Sequence, residues 1–171
     1  HEYMDSQDFV EIHTPKIKAM KGYYLDFEMK YFDKDATLAQ SPQFYHQAAI
    51  CSDFQRVYEV GPAFRAECGT TCRHLTEFTN LSFEMEMMEH YFEGLDVSVN
   101  LLVYLLENIN SRNGSELETI NEEFSFDLLR FDPRHVLALE WKEAEGMLNR
   151  LGIDSSYFSF SDERSLARFI K

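Results

Sequence analysis

The sequence predicts an α+β fold, an antiparallel sheet flanked by helices, and three observations carry that prediction. Residues 56–88, RVYEVGPAFRAECGTTCRHLTEFTNLSFEMEMM, read as two long strands of period-2 patterning joined by a short polar loop. Residues 91–110 repeat Leu95, Val99, Leu102, Leu106 and Ile109 along one helical face. A composition of 44% hydrophobic and 15% aromatic residues over 171 positions suits one globular domain with a substantial core. No internal repeat, low-complexity segment or linker divides the chain, so residues 1–171 are expected to form a single domain.

The first residues, EYMDSQDFVEIHTPKI, read as the last turn of a helix running into a short strand that stops at Thr14-Pro15. So short a helix nucleates poorly by itself, which predicts further residues upstream. Tyr23–Phe32 and Ala36–Ala39 lean toward strand and are joined by Asp33-Lys34-Asp35, a hairpin turn. Ser41-Pro42 reads as an N-cap with a first-turn proline, opening a helix to about Phe54. Phe44, Ala48 and Cys51 share one side of it. After the long hairpin, the helix from Tyr91 is expected to stop at Asn113-Gly114. Ser125–Leu139 reads as irregular or strand. Glu140–Leu151 is a helix closed by Gly152, and Ser161 caps a last helix to Lys171.

Alternation along the first strand of the hairpin puts Glu59, Arg65 and Glu67 on one face, with Tyr58, Val60 and Phe64 opposite. In the second strand Phe78, Asn80, Ser82, Glu84 and Glu86 share a face, opposite Leu81, Phe83, Met85 and Met87. One side of the hairpin is apolar. The other combines arginine, carboxylate and a single aromatic ring, which suits a charged, planar ligand. A nucleotide is the natural candidate, because guanidinium pairs with phosphate and a ring stacks on a base. The alternative local readings are a strand-face salt bridge between Arg65 and Glu67, a core role for Phe78 and a solvated His46.

The balance of 16 basic against 30 acidic residues gives a net charge of −14, which repels nucleic-acid phosphates over most of the surface. Any nucleic-acid contact by this chain is therefore expected to be local or weak. The longest apolar run, Leu101–Leu106, is far too short to cross a bilayer, and no charged-plus-apolar leader opens the chain. Cys51, Cys68 and Cys72 are an odd, sparse set that fits a reducing compartment; the cytoplasm is expected. Cys68, Cys72 and His74 resemble a zinc spacing, but without a fourth ligand no metal site is expected there. Glu84 and Glu86 read equally as magnesium ligands and as a solvated strand edge.

Four segments in order, FVEIHTPKI, TLAQSPQFYHQ, RVYEVGPAFRAE and RHLTEF, resemble the catalytic domain of the class II aminoacyl-tRNA synthetases. The likeness is greatest to the aspartate enzymes of the archaeal and eukaryotic kind. FRAE, five spacer residues and RHLTEF fix many positions at once, which makes the resemblance specific. It implies a class II synthetase core, incomplete at both ends, that uses ATP to turn aspartate into aspartyl-adenylate and passes the aspartyl group to tRNA. Arg65 is then expected on the α-phosphate as the catalytic cation and Phe78 on the adenine. Glu67 reads the adenine amino group or holds the loop, while Arg73 and His74 face the outer phosphates. Ser41 and Gln43 reach the substrate amino group, and His46 and Ser82 line the amino-acid pocket. Pro15 lies near a homodimer contact. Magnesium is expected, with its ligands outside this chain, and no membrane partner is implied.

The chain departs from the family pattern around the amino acid. A lysine that pairs with the substrate side chain is replaced by His46, which is only about a quarter protonated at pH 7 when unperturbed. An aspartate in that lysine's network is replaced by Ser82, and a glycine two residues earlier by Asn80. The covering loop expected after Pro15 is absent, and the third family motif is not reached. Burying a carboxylate without its cation costs several kcal/mol, roughly a thousandfold or more in affinity. The departures therefore imply altered selectivity or lost activity. Their alternative reading is a degenerate paralogue that binds ATP or a protein partner without aminoacylation.

Overall fold

The computed structural model describes residues 1–19, 25–69, 71, 74–128, 136–154 and 159–170. They form two compact units, His1–Leu105 and Leu106–Lys171. The first begins with helix α1 (Glu2–Ser6) and strands β1 (Val10–Glu11), β2 (Ile17–Lys18), β3 (Glu28–Tyr31) and β4 (Lys34–Leu38). Helix α2 (Gln43–Ile50), strands β5 (Arg56–Phe64) and β6 (Glu77–Met85), and helix α3 (Phe92–Arg112) follow. Helices α4 (Gly114–Glu123), α5 (Trp141–Arg150) and α6 (Phe160–Ile170) complete the order.

Two three-stranded sheets, β1-β5-β6 and β2-β4-β3, make up the first unit's strand content. β5 and β6 pair antiparallel from Arg56 opposite Met85 to Phe64 opposite Glu77. β1 runs parallel to β5, so the expected antiparallel sheet carries one parallel edge. The register confirms the two faces read from alternation. Tyr58 faces Phe83 and Val60 faces Leu81 on one side; Glu59 faces Ser82, Gly61 faces Asn80 and Ala63 faces Phe78 on the other.

The core lies under the apolar face. Tyr58, Met4, Phe9, Val97 and Leu101 are buried together, with Tyr3, Val60, Phe83 and Met85 packed around them. Each large side chain removed from water there contributes about 1.5–3 kcal/mol. The five-residue α1 persists because it is anchored by this core. Met4 is fully buried, the Tyr58 hydroxyl donates to Asp5 at 2.8 Å, and an Arg56 N–H donates to the Gln7 carbonyl at 2.9 Å. Hydrogen-bonded to the Asp5 carboxylate and withdrawn from water, the Tyr58 phenol is pushed up to about 12, burial being the larger cause.

Helix α2 differs from its expectation at both ends. It starts at Gln43 with Pro42 at the cap position, and Ser41 makes no capping hydrogen bond. It stops at Ile50, four residues early. Asp53 adopts φ +71°, its N–H donates to the Ile50 carbonyl, and the Phe54 N–H donates to the Ala49 carbonyl. This is a Schellman closure built on aspartate, and without a glycine the sequence did not announce it.

In the second unit, α3 ends where Asn113-Gly114 was expected to end it, but Gly114 immediately opens α4. That helix was missed because it has no buried residue and hence no apolar period to read. α5 follows its expectation. A capping box joins Glu140 and Glu143, Ala144 and Leu148 are buried, and Gly152 closes the end at φ +72°. The cap of α6 is Ser159 rather than Ser161. The Ser159 N–H and hydroxyl both donate to the Asp162 carboxylate, at 2.7 and 2.6 Å. Residues 125–128 and 136–139 carry no regular structure, as expected, and the rest of that stretch lies outside the described residues. Among the described residues no helix is long and apolar enough to cross a membrane.

Candidate active site

Helix α2 packs on β5 and β6, and at its N-terminal end a cavity of about 290 Å³ remains. Gln43 lines it from the helix and Ser41 from just before it, Asn80 and Ser82 from β6, and Arg65 from just past β5. Its volume lies at the small end for ligand sites, in the range of an amino acid.

Arg65 follows the last residue of β5. Its backbone N–H donates to the Thr76 carbonyl at 2.9 Å, continuing the strand pairing one step and fixing the side chain's departure point. The guanidinium carbon then lies 5.2 Å from the centroid of the Phe78 ring. Phe78 is half-buried rather than sunk in the core, and its cross-strand neighbour is the small Ala63. The hairpin thus holds a cation over a ring, and the cation also lines the cavity. Arg65 and Glu67 form no ion pair with each other among the described residues, so the salt-bridge reading is set aside.

The loop joining the strands is only partly described. Glu67 is half-buried beyond the strand end, its N–H donating to the Arg65 carbonyl at 2.8 Å. His74 is exposed, with Nδ1 2.5 Å from the Thr71 hydroxyl. A Cβ on Gly69 would come within 2.7 Å of the His74 ring, so glycine is required for this close approach. Arg73 and Cys72 lie outside the described residues, and Pro15 is exposed.

The reading of His46 as a solvated helix residue is overturned. His46 is 0% exposed, one turn beyond Gln43 on the face of α2 that meets the sheet. Its Nε2 is 4.0 Å from a Glu59 oxygen, and among the described residues neither ring nitrogen has a hydrogen-bond partner. Burial dominates and lowers its proton affinity. The Glu59 charge pulls the other way and Lys16 adds to the lowering, so the ring is neutral at pH 7.

Glu59 is 2% exposed and organises this region. It accepts from the Thr14 N–H at 3.0 Å, the Thr14 hydroxyl at 2.7 Å and Lys16 Nζ at 2.7 Å. Burial pushes its carboxyl upward, but the Lys16 and Thr14 hydrogen bonds and the Lys16 charge outweigh that and hold it below the ordinary range. Sequence reasoning put Glu59 on the correct face but missed Thr14 and Lys16 as its partners. The available signal was an acidic residue between apolar neighbours in a buried strand, which demands a cation. Ser82, directly across from Glu59, has a buried hydroxyl with no partner among the described residues.

Among the described residues no group of three His, Cys, Asp or Glu side chains is placed to hold a metal ion. No chemical step is assigned through a metal ion.

The fold superposes on solved class II synthetase cores, and the hairpin is part of that core. Residues 1–156 match the family of class II tRNA synthetases (D, K and N), and the chain belongs to that family. Within it the resemblance is to aspartate enzymes. The chain is 40% identical over 176 residues to the cytoplasmic aspartate–tRNA ligase of Bos taurus, covering 99% of this chain and 35% of that protein. It is 43% identical over 153 residues to cytoplasmic aspartate–tRNA ligase 1 of Arabidopsis thaliana, covering 88% of this chain and 29% of that one. The solved aspartyl-tRNA synthetase of Entamoeba histolytica superposes with a TM-score of 0.82 at 42% identity, covering 99% of this chain and 32% of that one. The asparaginyl-tRNA synthetase of Pyrococcus horikoshii, solved with asparaginyl-adenylate, matches at 0.80 and 29% identity, covering 98% and 39%. The chain spans about a third of the length of the curated relatives it matches.

Proposed function

We propose that this chain is the ATP- and amino-acid-binding part of an aspartate–tRNA ligase. The observation that carries the reading is the Arg65–Phe78 pair, 5.2 Å from guanidinium to ring centroid, with Arg65 also lining the cavity. A phosphate and a purine are the two groups such a pair recognises together. In the first step a carboxylate oxygen of aspartate attacks the α-phosphorus of ATP. The bond to the bridging oxygen breaks, pyrophosphate leaves, and aspartyl-adenylate remains. Arg65 stabilises the charge that builds on the α-phosphate, and Phe78 holds the adenine. Glu67 reads the adenine amino group or steadies the loop. Arg73 and His74 meet the outer phosphates.

Ser41 and Gln43 approach the aspartate amino group, while Ser82 and His46 form the side-chain end of the pocket. In the second step the tRNA 3′ hydroxyl attacks the activated carbonyl, an ester forms and AMP leaves. Magnesium would accompany the nucleotide, held by ligands outside this chain, and would neutralise phosphate charge. A second copy contacts the segment at Pro15, and the work is assigned to the cytoplasm, in keeping with the relatives' names. The proposed unit of function is residues 1–171 acting as one partial catalytic domain.

One observation favours a second reading, binding without aminoacylation. The buried, neutral His46 leaves the side-chain end of the pocket without a fixed cation. Aminoacylation by the full-length protein, with aspartate, asparagine and lysine compared, decides between them. Aspartyl-tRNA formation supports the ligase. ATP binding with no charging by any of the three supports the second reading.

A further inference from the structure

Beside the Ser82 wall of the cavity lies a set of buried, unfilled hydrogen-bonding atoms. The Ser82 hydroxyl and both nitrogens of His46 are buried without partners among the described residues. Buried polar groups are almost always paired, so three unpaired atoms behind one cavity mark where a ligand group completes the set. His46 sits against Glu59, and Glu59 sits across the ladder from Ser82, which lines the cavity. His46 is therefore linked to the cavity through Glu59 and the lining residue Ser82, without lining it itself.

Charge decides what can enter. α2 contributes no charged residue of its own to this face. Lys16 is bound to Glu59 at 2.7 Å, so that pair is neutral as a unit. Glu84 shares the face, opposite Val57, and Arg65 stands at the other end of the cavity. An aspartate side chain reaching Ser82 thus brings a negative charge to a place whose one nearby cation is already matched. A neutral imidazole has a single N–H and cannot donate to both Glu59 and a second carboxylate; an imidazolium can.

We propose that aspartate binds this cavity together with one proton, and that His46 takes up that proton. The imidazolium then bridges Glu59 and the substrate carboxylate, and the Ser82 hydroxyl donates to the same carboxylate. This rests on the reading of the chain as part of an aspartate ligase. His46 acts here as a specificity-determining residue. It supplies positive charge only when a second carboxylate arrives.

The test is calorimetric titration of the full-length protein with aspartate in two buffers of different ionisation enthalpy, repeated between about pH 6.5 and 8. The expected result is uptake of about one proton per aspartate and an affinity that falls about tenfold per pH unit. Asparagine, with no charge to match, binds without proton uptake. His46→Lys binds aspartate without uptake, and His46→Gln binds it at least tenfold more weakly with none. Aspartate binding by the unaltered protein without proton uptake overturns the proposal and leaves the ligase reading standing. Uptake retained in His46→Gln also overturns it, because the proton then goes elsewhere. Failure to bind aspartate with or without ATP overturns the ligase reading and this proposal with it. Should either variant not fold, the buffer and asparagine comparisons decide alone.

Discussion

The guanidinium of Arg65 lies over the ring of Phe78, 5.2 Å from its centroid, at the loop end of one hairpin, with Ala63 opposite the ring on the neighbouring strand. The pairing is a cation–π contact worth about 0.5–1 kcal/mol at a partly exposed site. The ring is half-buried, and its exposed part is available to a base. Phe78→Ala is expected to weaken ATP binding by about 1–3 kcal/mol, in the range of a lost base–aromatic stack. Phe78→Tyr preserves it. Equilibrium titration of the full-length protein with ATP checks both.

Glu59 makes a stability prediction. Glu59→Gln leaves Lys16 without its carboxylate partner, and breaking a buried pair from one side costs about 3–5 kcal/mol. Lys16 keeps 22% of its side chain exposed and can turn toward water, so the lower end, about 3 kcal/mol, is expected. Urea unfolding of the two proteins at neutral pH measures it. A loss under about 1 kcal/mol would mean that the pair contributes only as a surface contact does.

The pH dependence of stability has a definite sign. His46 is held below its ordinary value of 6.5 in the folded chain, so the unfolded chain takes up its proton first as pH falls. Its contribution is full above about pH 7 and is lost as pH drops through the folded value. Glu59 is also held below its ordinary value of 4.5, and its contribution is lost only in stronger acid. Stability is therefore expected to decline between pH 7 and 5 in the unaltered protein. That decline shrinks in His46→Gln and persists in Glu67→Gln. Denaturant midpoints at each pH give the comparison.

Gly69 predicts a local effect. An added methyl group would meet the His74 ring at 2.7 Å, and the exposed ring must give way. Gly69→Ala should leave global stability within about 0.5 kcal/mol, as for other surface changes. It should raise the KM for ATP by displacing the loop. Thermal unfolding and steady-state kinetics separate the two.

The hairpin was legible because period-2 alternation over nine paired residues leaves one register that buries Tyr58, Val60 and Phe83. The helices with an apolar stripe and a glycine stop, such as α5, were legible for similar reasons. α4 was not, because a helix with no buried residue has no clear apolar stripe. The end of α2 was not, because aspartate rather than glycine takes the left-handed turn. In the site, Arg65 and Phe78 could be placed from a motif. The Thr14–Glu59–Lys16 cluster could not, since it joins residues separated by some 43 to 45 positions through tertiary packing alone. The solvated alternative for His46 failed for the same reason. A polar residue on a helix reads as solvated until a sheet is seen to cover it.

Aspartate-dependent exchange of pyrophosphate into ATP by the full-length protein, measured beside Arg65→Ala, tests the central claim most directly. The hairpin's role predicts exchange that requires aspartate and falls about 10²–10³-fold in the variant, with its unfolding midpoint unchanged. Exchange that proceeds equally well without the Arg65 guanidinium would contradict it.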